Sequence, residues 1–313
     1  MTKFCLLFFS ILVAFSSCKK EEPELPNTAD LFPNSEKNVR GSNDETVRME
    51  YAKLLDMITF AYELDFMKMK KIDTSSITYP CGIESIDTLG GNLHVKFSGN
   101  CNSSIVTGKV IIEKLDTLDW WSDNSKILAR ITDFKVQIES NGEELVFNGY
   151  LTIENLYGGL ISQEISSKRV IDHKIRGKLD IKFNNAETRN WSITKLRQYH
   201  DKGGSPRNIQ LKVNADSNGT IAESGTNKYG FNFVTSYGSN LEYFSCNPQN
   251  KWIPDFTLAQ GNYTYAVGTT RVNAEAGYID ENGYLNLVQN CASKGLKISW
   301  EFSNGTKEAF FEY

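Results

Sequence analysis

The sequence predicts an all-β protein, an antiparallel meander, sandwich or open barrel-like sheet preceded by a single amphipathic helix. Three features of the chain require it. After Asp73, apolar and polar residues alternate with a period of two. Leu93, Val95 and Phe97 alternate with His94 and Lys96; Val136 and Ile138 with Lys135, Gln137 and Glu139; Ile298 and Trp300 with Lys297, Ser299 and Glu301. Such alternation makes half-buried strands, one face on a core and one in water. Turn dipeptides fall between these runs, at Gly90-Gly91, Asn141-Gly142, Gly158-Gly159, Asn218-Gly219, Asn282-Gly283 and Asn304-Gly305. They tolerate the positive φ of type I′ turns and predict tight antiparallel hairpins. Helical patterns are absent between them, which argues against parallel βαβ units.

The elements follow in chain order. Lys3, the apolar run Phe4 to Phe15 and the small pair Ser16-Ser17 form a secretory signal over 1–17. The run is too short for a spanning helix, which needs about twenty apolar residues. Leu12-Val13-Ala14-Phe15-Ser16-Ser17-Cys18 resembles a bacterial lipoprotein box, which implies cleavage before Cys18 and acylation of its thiol. Lys20-Glu21-Glu22 resembles the export signal of Bacteroidota surface lipoproteins. That resemblance implies an outer-membrane address on the cell surface, with the periplasmic face as the alternative. Pro23, Pro26 and Pro33 among polar residues make 18–41 a tether. As a coil it would span about 25 Å, and fully extended at most about 75 Å.

Ser42 with Glu45 resembles a capping box. Val47, Tyr51, Leu54, Leu55, Ile58 and Tyr62 then recur at spacings of three and four, predicting an amphipathic helix over 42–72 whose apolar stripe packs on the sheet. The remainder, 73–313, is the antiparallel β region, one large domain or two sub-domains. Within it Lys135 to Gly142 is echoed by Lys297 to Gly305 with one residue inserted, which duplication of a hairpin unit would explain and which any two hairpins with the same turn would equally show. Phe97-Ser98-Gly99-Asn100-Cys101 with Gly108-Lys109-Val110-Ile111-Ile112, and Tyr278-Ile279-Asp280-Glu281-Asn282-Gly283 with Cys291 and Asn304-Gly305, resemble a family of uncharacterised Bacteroidota lipoproteins built from strand and turn blocks. That family supplies no activity.

Charge narrows the partners. In 313 residues, 34 Lys and Arg against 38 Asp and Glu give a net charge of −4, with no basic cluster, so a nucleic-acid partner is not expected. Of six cysteines, Cys5 leaves with the signal and Cys18 takes lipid. Cys81, Cys101, Cys246 and Cys291 remain, and an even remainder in an exported chain predicts two disulfides. Four cysteines allow three pairings; Cys81 with Cys101 and Cys246 with Cys291 are expected, because each pair brackets one stretch of strand and turn. None has a Cys or His at zinc-ligand spacing, so neither a metal nor another cofactor is expected.

No catalytic residue stands out. His94, His173 and His200 lie in separate segments, and His94, on a polar strand face, and His173, in a charged stretch, are expected in solvent. Phosphate-loop and His-Glu-x-x-His patterns are absent. Two carboxylates meeting across strands would be enough for glycoside hydrolysis, the enzymatic alternative. Tyr278 to Gly283 offers too few oxygens for a calcium loop and is read as a turn. Trp120 and Trp121 are candidates for stacking on a sugar ring, since alternation leaves one of two adjacent side chains outside; the alternative sends one ring into the core and packs the other on a neighbouring strand. Asp87-Thr88-Leu89 and Asp116-Thr117-Leu118 resemble the Bacteroidota O-glycosylation sequence, which makes Thr88 and Thr117 candidate acceptors. The function expected from these features is a lipid-anchored, non-catalytic binding module for glycan or protein, with a structural envelope component as the alternative.

Overall fold

A computed structural model describes residues 43–72, 79–101, 104–139, 142–161, 170–184, 187–201, 209–216, 221–228, 230–245, 256–267, 270–280, 284–286, 295–302 and 305–312. The signal sequence, the tether with Cys18, Lys20, Glu21 and Glu22, Ser42, Asn141, Cys246, Cys291, Asn304, Asn218-Gly219 and Asn282-Gly283 lie outside the described residues. The expected all-β fold with one N-terminal helix is found. Among the described residues no helix is long and apolar enough to cross a membrane.

Helix α1 spans Asn43–Met69, a rod of about 40 Å. The six stripe residues named above are all buried. So, however, are Met57, Phe60, Ala61, Leu64, Phe66 and Met67, together with Thr59 and Glu63, which lie around the rest of the helix. The expected one-sided helix is therefore corrected: through most of its length α1 is enclosed rather than laid on a surface, the situation in which a helix is apolar nearly all round. It stops at Lys71, whose φ of 58° is left-handed. Ile72 N donates to Met67 O at 3.0 Å and Lys71 N to Lys68 O at 3.0 Å, a Schellman closure with lysine where glycine is usual.

The sheet that encloses α1 begins as a plain meander. Strands β1 (Ile83–Leu89), β2 (Asn92–Cys101), β3 (Ser104–Lys114), β4 (Ser125–Ile138), β5 (Glu144–Asn155), β6 (Val170–Phe183) and β7 (Thr188–Asp201) pair each with the next, antiparallel. Gly90 and Gly91, at φ 60° and 84°, close the β1–β2 hairpin between Leu89 and Asn92, as expected of a tight turn. Gly158-Gly159 does not form such a turn, because β5 ends at Asn155 and β6 begins only at Val170. The Cys81–Cys101 disulfide, with its Cα atoms 5.0 Å apart, ties the start of β1 to the end of β2, the pairing expected.

Glycines inside strands let the sheet bend. Gly149 has φ 129°, and a Cβ there would meet Lys178 O at 2.2 Å; Gly108, at φ 123°, would meet Asp133 O at 2.5 Å. Register shifts accompany them, between Thr107 and Lys109 and between Ile131 and Phe134. Glycine in a strand marks such a close approach or corner, and Gly177 on β6, where a Cβ would meet Tyr150 O at 2.4 Å, adds a third such position beside Gly149 on β5.

Beyond β7 the meander divides. The remaining strands are β8 (Ile209–Ala215), β9 (Ile221–Thr226), β10 (Asn232–Tyr237), β11 (Leu241–Ser245), β12 (Phe256–Val267), β13 (Thr270–Ile279), β14 (Leu285–Asn286), β15 (Gly295–Phe302) and β16 (Gly305–Glu312). One end of β7 pairs with β8, which pairs with β11; the other end pairs with β9, which pairs with β10. Both routes rejoin on β12, which continues through β13 and β15 to β16, with β14 pairing β13. The change of partner falls between Ile193, paired with Glu223, and Lys195, paired with Ala215.

Candidate functional site

The interior against α1 changes character along the sheet. From β2 to β5 it is built of aliphatic residues and a staircase of rings, Phe97 on Phe134 at 5.0 Å and Phe134 on Phe147 at 6.2 Å. On β7 the same inward phase reads Trp191, Ile193, Lys195, Arg197, Tyr199, all buried. Two cations thus occupy core positions, and each must be matched by a buried anion.

At the division of the sheet Lys195 bonds Glu223 and the Tyr51 hydroxyl, and Tyr51 in turn donates to Glu223. Arg48 Nε reaches the same carboxylate at 3.3 Å, with its guanidinium carbon 4.3 Å above the Tyr263 ring. Burial pushes the Glu223 carboxyl up, but the Lys195 and Arg48 charges reverse this and bring it down to about 2. Burial lowers Lys195 to about 8, partly opposed by Glu223, so both groups are charged at neutral pH. Burial, and then the Glu223 charge, hold the Tyr51 hydroxyl well above its ordinary value, leaving it a neutral donor.

One rung away along β7, Arg197 Nη2 meets Asp56 of α1 at 2.7 Å. His173 on β6 pairs with Arg197 of β7 and with Asn155 of β5, and it is fully buried, between Trp120 and Tyr199 with both ring centroids 5.3 Å away. The expectation of a solvated His173 is thus corrected. Its strand phase points inward, and burial, aided by the Arg197 charge, drives its pKa down to about 3. His94, on the opposite phase of β2, is half-exposed. Glu63 accepts from Ile161 N at 2.7 Å, so α1 also fastens the β5–β6 connection.

These contacts are scaffold. They lead outward to a rim around the C-terminal end of α1. Asn155 Nδ2 donates to Trp120 O at 2.8 Å and to Gly159 O at 2.9 Å, and Ser125 Oγ donates to Trp120 O at 2.9 Å. Gly159 N donates to Trp121 O at 3.0 Å, and Gly158 lies so close that a Cβ would meet that same oxygen at 2.2 Å. The β3–β4 and β5–β6 connections are therefore clamped backbone to backbone. Lys70 Nζ holds Asp119 at 2.7 Å.

The two candidate tryptophans part company on this rim. Trp120 is 1% exposed, edge-on to Tyr62 at 5.2 Å, and out of reach of a ligand in solvent. Trp121 is 40% exposed, edge-on to Phe66 at 5.0 Å, with Lys70 Nζ 5.3 Å from its ring centroid. Tyr157, next to the clamping Gly158, is 57% exposed and was not singled out by the sequence. Leu115 and Leu118 add exposed apolar surface to the same loop. Thr88 and Thr117 are both exposed, Thr88 donating to Asp65 Oδ1 at 3.1 Å. Thr117 lies in a bend held by Asp116, which accepts from Leu118 N and Lys126 N at 2.9 and 2.7 Å.

No family model, no curated protein and no solved structure matches this chain.

Proposed function

We propose that this protein is a bacterial lipoprotein of the Bacteroidota type, acylated at Cys18 and displayed on the outer membrane through Lys20-Glu21-Glu22, acting there as a non-catalytic module that binds glycan. The observation that carries the binding reading is the clamped pair of exposed aromatics, Trp121 and Tyr157, on the rim. Aromatic side chains held by a rigid loop junction present an apolar face with a polar tip at little entropic cost, as a sugar-stacking surface requires. The address rests on the residues at Cys18 and Lys20-Glu21-Glu22 alone. The tether joins α1 at Asn43, while the rim surrounds Met69 at the far end, about 40 Å away along the helix.

A glycan array with wild type, Trp121→Ala and Tyr157→Ala tests the ligand. Binding should weaken about tenfold or more in each variant, equivalent to about 1.4 kcal/mol, and a wild type that binds no glycan would remove the reading. Cys18→Ala tests the address separately: lipid labelling should vanish and the protein should become soluble, and labelling that persists would refute acylation at this residue.

A further inference from the structure

A second polar surface lies on the outer face of the sheet, remote in sequence from the rim. Asn262 and Thr264 of β12 point outward between the buried Tyr263 and Tyr265, and Asn273 and Glu275 do the same on β13 beside Ala274. Register aligns them in two rungs: Asn262, Glu275 and Lys297 in one, Thr264, Asn273 and Ser299 in the next. Strand and residue spacings put these six groups within a patch of about 10 by 7 Å. They line a groove of about 350 Å³, at the small end of the range for small-molecule sites.

A change of strand partner borders the groove. At Gly261, with φ 119°, β12 changes partner from β11 to β10, and a Cβ there would meet Asn240 O at 2.6 Å. Gly238 leaves room for the Asn262 amide, which a Cβ would meet at 2.2 Å. Thr264 Oγ1 donates to Asn273 Oδ1 at 2.9 Å, which orients that amide. The lining offers hydroxyl, amide, carboxylate and ammonium groups, donors and acceptors intermixed, and its two charges cancel.

We propose that this outer-face groove of β12, β13 and β15 is a binding site for a single saccharide unit held by hydrogen bonds rather than by stacking. Sugar hydroxyls both donate and accept, so they match a lining in which donors and acceptors are intermixed, which offers an apolar ligand little hydrophobic contact and an ion no net charge. The site does not depend on the rim, whose aromatics belong to other loops.

Saturation-transfer NMR of the full chain tests it, with glucose, galactose and N-acetylglucosamine each at about 10 mM, a concentration that detects millimolar affinity. Transfer to at least one sugar is expected in the wild type, and a measurable part of it should persist when Trp121→Ala and Tyr157→Ala together remove the rim's aromatic surface. On that rim-deficient background the remaining transfer should fall about tenfold with Asn262→Ala and with Glu275→Ala, both exposed positions where folding is checked by an unchanged unfolding midpoint. Transfer to none of the sugars, or transfer unaffected by both groove variants, overturns the proposal. Loss of all transfer in the rim-deficient variant would assign the sugar to the rim alone and equally overturn it.

Discussion

The sheet from β1 to β5 and the sheet from β6 to β12 enclose the same helix by opposite means. In the first region each strand pairs with its chain neighbour, and the inward phase is apolar apart from Ser104, Ser125 and Asn155 near strand ends. In the second region pairing divides into two routes, and the inward phase carries His173, Lys195, Arg197, Glu223 and Thr235. An apolar interior is satisfied by many arrangements of similar volume, whereas a buried ionic cluster is satisfied by very few. The meander thus supplies bulk burial, while the polar region fixes where along the sheet the helix must sit, through Arg48, Tyr51 and Asp56. A role in specificity rather than stability is the expectation for such pairs.

The largest effect should come from breaking the cluster on one side. Glu223→Ala leaves Lys195 and Arg48 buried without their shared anion and should cost about 3–5 kcal/mol in urea unfolding. Replacing all three, Arg48→Met with Lys195→Met and Glu223→Leu, should recover most of that loss. A triple variant as unstable as the single one would show that the cluster contributes net stability.

Acid should expose the second polar element. The folded pKa of His173, about 3, lies below its ordinary 6.5, so its contribution is complete above pH 6.5 and is lost as pH falls toward 3. The loss is about 1.4 kcal/mol per pH unit across that window, or roughly 2 kcal/mol by pH 5. His173→Phe should therefore lose about that much less stability than the wild type between pH 7 and pH 5, measured by denaturant unfolding at each pH. Identical pH slopes for the two proteins would mean that His173 becomes protonated in the fold.

The smallest effect belongs to the apolar region. Phe134→Leu keeps the interior apolar and near its volume, and it should cost less than about 1.5 kcal/mol in the same unfolding assay. A cost approaching that of Glu223→Ala would erase the distinction between the regions.

Rim and cluster were unequally legible. Trp121 is visible because adjacent tryptophans in a polar stretch invite the question of which faces water. Tyr157 is not, since only the clamp made by Gly158 and Gly159 brings it to the same junction. Lys195 and Arg197 did carry a signal, for they occupy the apolar phase of Trp191, Ile193 and Tyr199. Reading that phase would have placed two cations in the core, though not their partners. Those partners, Glu223 and Asp56, lie on elements whose approach depends on the divided sheet.

The sequence by itself determined the antiparallel strands, the helix and its six core residues, and the Cys81–Cys101 bridge, because side-chain period, turn dipeptides and loop length act over a few residues at a time. It also carries the lipoprotein-like features at Cys18 and Lys20-Glu21-Glu22, on which the proposed address rests. Only the tertiary structure decided that the sheet wraps the helix, that it divides after β7, and that His173 and Trp120 are inside while Trp121 is outside. Those outcomes depend on which distant strands meet and on how far in-strand glycines let the sheet bend. Local pattern does not encode either, because a strand with one apolar face is equally satisfied by any apolar surface laid against it.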